Sequence, residues 1–112
     1  MPGLRATLTP EHQVGRPMMP PFEVAKDSRI VQAINRAYHA VRGAEQPTGA
    51  ITPPDFYGTD AAHFYLEAGM EGVVCGPGGR YNTMPDERVD IVDYLDIVRI
   101  YLLTILEICE PA

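Results

Sequence analysis

The sequence predicts an α/β fold, a partial sheet carrying three helices, and three observations lead there. Apolar side chains recur at helical spacing in two long stretches, and a shorter stretch between them carries a helix-opening cap. Short β-branched runs separate these stretches. Glycine and proline pairs then punctuate the chain, so the pieces read strand, helix, strand, helix, strand, helix.

Residues 1–21 form an extended, proline-rich segment with Pro2, Pro10, Pro17, Pro20 and Pro21, and a brief strand-like alternation over residues 4–8. Proline fixes φ and removes an amide donor, so an irregular or extended path is expected. Residues 22–112 make up the folded portion. Asp27 is placed to cap the first helix, in which Ile30, Val31, Ile34, Ala37, Tyr38 and Val41 mark one face and Gly43 marks the end. Residues 48–52 read as a short strand closed by Pro53 and Pro54. Thr59 or Asp60 caps a second helix from Ala61 to Ala68, ended by Gly69. Residues 71–75 read as a buried strand delivered into Gly76, Pro77, Gly78 and Gly79. The carboxyl end of a strand is where α/β sheets place ligands, and glycine there permits close amide approach or a positive φ, although a simple tight turn accounts for the same residues. Arg88 to Ile91 is a short extended piece, and Asp93 is placed to cap the last helix over residues 94–108. That helix is apolar around most of its circumference, which predicts burial on more than one side.

Composition narrows the function. The 112 residues fit one domain and can bury roughly two-thirds of the unfolded chain's surface. Nine basic residues against fifteen acidic ones give a net charge of −6, which argues against nucleic-acid binding, since phosphate recognition needs cations. No polybasic run suits an anionic membrane, and the most apolar stretch, residues 91–109, is broken by Asp93, Asp96, Arg99 and Glu107. With no apolar signal core near Met1, a cytoplasmic address is expected. Cys75 and Cys109 read first as buried thiols, with a disulfide open but not required. His39 falls on the polar side of its helix with no second ligand type one turn away, and His63 reads as a packed or surface histidine.

Three landmarks carry a family resemblance. They are Gly58, Thr59, Asp60 and Ala61 opening a helix; Gly72 to Cys75 running into Gly76, Pro77 and Gly78; and Pro85, Asp86 and Glu87 followed by Arg88 to Ile91 and a long apolar helix. In this order and spacing the chain resembles the C-terminal half of the catalytic domain in zinc-dependent aminoacylases and carboxypeptidases, of the acetylornithine deacetylase and succinyl-diaminopimelate desuccinylase type. The resemblance implies a catalytic α/β domain interrupted by a dimerisation domain, with residues 1–21 as the end of that insertion. It also implies one or two zinc (or cobalt) ions at the sheet edge and hydrolysis of an N-acyl amino acid or small peptide by metal-bound water.

On the same resemblance most metal ligands would lie upstream of Met1, and the position of the last one, a histidine four residues before Glu87, is occupied by Thr83. A hydroxyl is a poor zinc ligand beside imidazole and carboxylate. No catalytic or metal residue is therefore assigned. Gly58, Thr59, Asp60, Gly76, Gly78, Arg80 and Asn82 are the expected substrate-binding residues, with Arg80 also readable as a surface cation. Two functions follow. One is the C-terminal part of a hydrolase, inactive alone and completed by an N-terminal half. The other is a non-catalytic α/β module that self-associates or binds a partner through its last helix. A metal-free enzyme ranks third, since Cys75 has no histidine near it in sequence.

Overall fold

A computed structural model describes residues 3, 6–7, 20–49 and 58–110. The α/β class holds, with three helices and one two-stranded antiparallel sheet. Helix α1 spans Arg29–Arg42, α2 Ala61–Leu66 and α3 Ile91–Ile108; strands β1 (Gly79–Arg80) and β2 (Arg88–Val89) precede α3.

Helix α1 begins one residue later than the Asp27 cap implies. Ser28 occupies the cap position, yet its side chain makes no capping bond. The Ile30 amide instead donates to Glu71 Oε1 at 2.9 Å, so a carboxylate from a distant segment satisfies one orphan donor at the helix start. The predicted end is met: Gly43 takes φ 67° and its N–H bonds the His39 carbonyl. Helix α3, by contrast, starts earlier than expected. Asp90, not Asp93, is its cap, accepting from the amides of Val92 and Asp93. Helix α2 is shorter than predicted, ending at Leu66, with Gly69 at φ 63° and the Met70 amide returning to the Phe64 carbonyl.

Helices α1 and α3 pack antiparallel. Arg29 at the start of α1 reaches the Ile108 carbonyl, Arg36 pairs with Glu107, and Arg42 near the α1 C-terminus pairs with Asp93 in the first turn of α3. Between them lies the core of Ile34, Ala37, Ile97 and Ile100, flanked by Val73 and Cys75. Buried Thr104 satisfies itself by donating to the Ile100 carbonyl one turn earlier.

Among the described residues the expected strand at residues 71–75 joins no ladder. It keeps strand periodicity, with Val73 and Cys75 on the core and Val74 exposed, but a strand also needs a hydrogen-bonded neighbour. Residues 22–26 and 46–49 instead line a groove of about 540 Å³ beside residues 73–75. Of the strand expected at 48–52, residues 48–49 are not in a strand and the rest lie outside the described residues, as does most of the 1–21 segment. The extended piece at 88–91 is present as β2, shortened because α3 begins at Ile91. No helix among the described residues is long and apolar enough to cross a membrane.

Candidate functional site

The candidate residues fall on two supports. Gly58, Thr59 and Asp60 open α2, where the Thr59 hydroxyl accepts from the Ala61 amide at 3.3 Å and the Asp60 carbonyl accepts from His63 and Phe64. Gly76, Gly78, Arg80 and Asn82 lie on the stretch that leads from the core into β1 and the loop after it. Each group is held by its own contacts, the first by α2 and the second by α3.

The glycine-rich turn is bracketed by two side chains from α3. The Tyr101 hydroxyl donates to the Cys75 carbonyl just before the turn. The Gly78 amide donates to Asp93 Oδ2 at 2.5 Å just after Pro77. Asp93 is in turn paired with Arg42, whose Nε lies 3.6 Å from Asp96. The turn, the α1 C-terminus and the α3 N-terminus thus meet at one half-buried carboxylate. Burial, with the neighbouring Cys75 adding to it, holds the Tyr101 phenol above its ordinary pKa, so the hydroxyl stays a donor across the neutral range.

Glycine serves this turn differently from the expectation. Gly76, Gly78 and Gly79 do not take left-handed φ; at Gly79 a Cβ would collide with the Asn82 side chain. The left-handed residues are Tyr81, Thr83 and Asp86, at φ 59°, 61° and 66°. For a tyrosine and a β-branched threonine this conformation costs on the order of 1–2 kcal/mol each. A Tyr81 carbonyl to Met84 amide bond closes the turn, and the Thr83 amide donates to Glu87 Oε2 at 3.2 Å. The loop is therefore shaped by strained side-chain-bearing residues, a feature that no glycine in the sequence signals.

The sequence reading missed three contributors. Asp93 reads in the sequence only as a cap, Glu71 only as a strand residue, and Tyr101 is not singled out; the partners of Asp93, Tyr101 and Glu71 lie 15, 26 and 41 residues away. His63 pairs with Glu67 one turn on, in keeping with a surface histidine.

The zinc that the resemblance implies does not fit the described residues. No group of three or more His, Cys, Asp or Glu side chains among them is placed to hold a metal ion. At the expected histidine position Thr83 offers a hydroxyl, and the nearby Glu87, Asp90 and Asp93 carboxylates accept from backbone amides. The polar groups this stretch carries are backbone amides, the Arg80 and Arg88 guanidinium groups and the Asn82 side-chain amide. No curated protein and no solved structure matches the chain. The family model for Peptidase family M20/M25/M40 matches residues 7–107, nearly the whole sequence, and the chain belongs to that family.

Proposed function

We propose that this chain is the C-terminal catalytic portion of a metal-dependent amidohydrolase or peptidase that cleaves N-acyl amino acids or small peptides, of the acetylornithine deacetylase or succinyl-diaminopimelate desuccinylase type. The family match over residues 7–107 carries this reading. The family generally uses metal ions, and zinc or cobalt would supply a water of lowered pKa and a polarised amide carbonyl. We assign the binding and orienting of a small substrate to the 76–79 turn, whose Gly78 amide is already taken by Asp93, to Arg80 and Asn82, and to Gly58, Thr59 and Asp60 at the α2 start. Metal ligands then come from elsewhere, and the chain alone is inactive. A cytoplasmic setting suits such substrates.

The test is hydrolysis of N-acetylornithine and N-succinyl-diaminopimelate with added Zn²⁺ or Co²⁺. We expect no turnover by the chain alone and turnover when a polypeptide bearing the remaining family ligands is added. Turnover by the chain alone would overturn its dependence on a second part. Failure of every complemented mixture on both acyl amino acids and dipeptides would overturn the hydrolase reading.

A second reading is favoured by one observation. Ile91, Leu95, Val98, Leu102 and Ile105, spaced alternately four and three residues apart, form an exposed apolar seam along α3. A module that self-associates through this seam would run as a concentration-dependent dimer without metal, and sedimentation at several concentrations separates that reading from the first.

A further inference from the structure

The sheet register sets two arginines side by side. In the β1–β2 ladder Gly79 faces Val89 and Arg80 faces Arg88. Directly opposed residues of an antiparallel pair project to the same face with Cβ atoms about 5 Å apart, and like charges there repel. Both residues are exposed, and neither forms an ion pair with a carboxylate among the described residues. The contrast with the helices is sharp. Arg29, Arg36, Arg42 and Arg99 each bond a carbonyl or carboxylate. Acids are present nearby, but Glu87, Asp90 and Asp93 accept from the amides of Thr83, Val92 and Gly78. In a chain of net charge −6, two opposed arginines left without carboxylates are an arrangement for an anion from outside.

Their surroundings restrict which anion. The Arg88 guanidinium stands over the Tyr81 ring, 5.3 Å from its centroid, which fixes its plane and shields one side from water. Tyr81 is left-handed, so the strained loop is what presents that ring to β2. Two planar guanidinium forks on one narrow ladder match the flat, two-oxygen geometry of a carboxylate. We propose that Arg80 and Arg88 together form a carboxylate-binding fork at the mouth of the 76–79 turn, with the Tyr81 ring holding Arg88 in place. The proposal rests on the hydrolase reading only for its biological ligand, the free carboxylate of an N-acyl amino acid or peptide.

The experiment is a titration of the full chain with succinate at constant ionic strength, followed by the arginine side-chain Nε–Hε resonances. Arg80 and Arg88 are expected to shift saturably while Arg36 and Arg99 stay still. Arg80→Gln and Arg88→Gln should each weaken succinate binding about tenfold or more, as loss of a charge-assisted contact requires, and Arg99→Gln should leave it unchanged. Tyr81→Leu, which removes the ring but keeps both charges, should weaken binding severalfold. Absence of saturation, or shifts reproduced by sodium chloride alone, would overturn the fork. So would binding that survives both Arg→Gln changes. Tighter binding of inorganic phosphate than of succinate would overturn the assignment to carboxylates in favour of a phosphorylated ligand. Because the titration needs neither metal nor turnover, its failure stands apart from a failed hydrolysis assay.

Discussion

The two faces of α3 reverse the usual arrangement of an amphipathic helix. The face toward α1 carries the helix's acids: Asp93, Asp96 and Glu107 meet Arg42 and Arg36 around Ile97 and Ile100. The face away from α1 is apolar and open, with Ile91 74%, Leu102 56% and Ile105 57% exposed. Surface helices normally turn charge outward and hydrocarbon inward. Here a partner helix is recognised through ion pairs and a small core, while the larger apolar surface faces out. In the self-associating reading proposed above, this face would be the interaction surface. Polarity along a helix therefore marks which neighbour a face was made for, not simply which side meets water.

This difference can be broken from either face. Ile100, fully buried between α1 and α3, should lose about 2–4 kcal/mol on replacement by alanine, read as a lower urea midpoint. An unchanged midpoint would mean that the two helices are not packed through this core. Asp93→Ala should cost about 1–2 kcal/mol, because it strands Arg42 and frees the Gly78 amide. Gly78 should then exchange its amide proton faster, whereas a global loss without local change would place Asp93 outside the turn. Acid should act in the same direction but more weakly. Hydrogen bonding to Arg36 holds the Glu107 carboxyl below the usual carboxylate range and Arg36 above its own. A lowered folded pKa contributes stability above the unfolded value, near pH 4.3, that is lost as pH falls through the folded one. Glu107→Gln should therefore flatten the stability–pH profile as pH falls below the unfolded value of about 4.3. The smallest effect is expected on the open face: Leu102→Gln should shift the isolated chain's stability by no more than about 0.5 kcal/mol while raising its solubility. A large destabilisation would show that α3 already buries this face.

Periodicity made the long helices legible in the sequence, and it did so to within three residues. Ile34 and Ala37 fall on the stripe that the spacing marks on α1, whereas Ile97 and Ile100 do not stand out in the sequence because α3 is apolar around most of its circumference; Gly43 ends α1 because glycine takes φ 67° without strain. Caps were less legible. Asp90 and Asp93 are both capping residues by type, and the choice between them depends on where Asp93 finds Gly78 and Arg42. The sheet was the least legible, because alternation at residues 71–75 reports a face and not a neighbour. At the candidate site, Arg80, Asn82 and the glycines stand out by type, whereas Arg88 gains meaning only from its register opposite Arg80. The strain at Tyr81 and Thr83 left no mark in composition at all.

The segment over residues 71–78 has one further property. Glu71 is tied to the start of α1, the Cys75 carbonyl to Tyr101, and the Gly78 amide to Asp93. Its middle lies across the helices with Val73 and Cys75 inward and Val74 outward. A slip of one residue would break all three ties and turn Val74 into the core. The register of the segment is therefore fixed by its own ties. Were a strand to pair along it, that strand would meet an edge already ordered, and association would not have to order that edge.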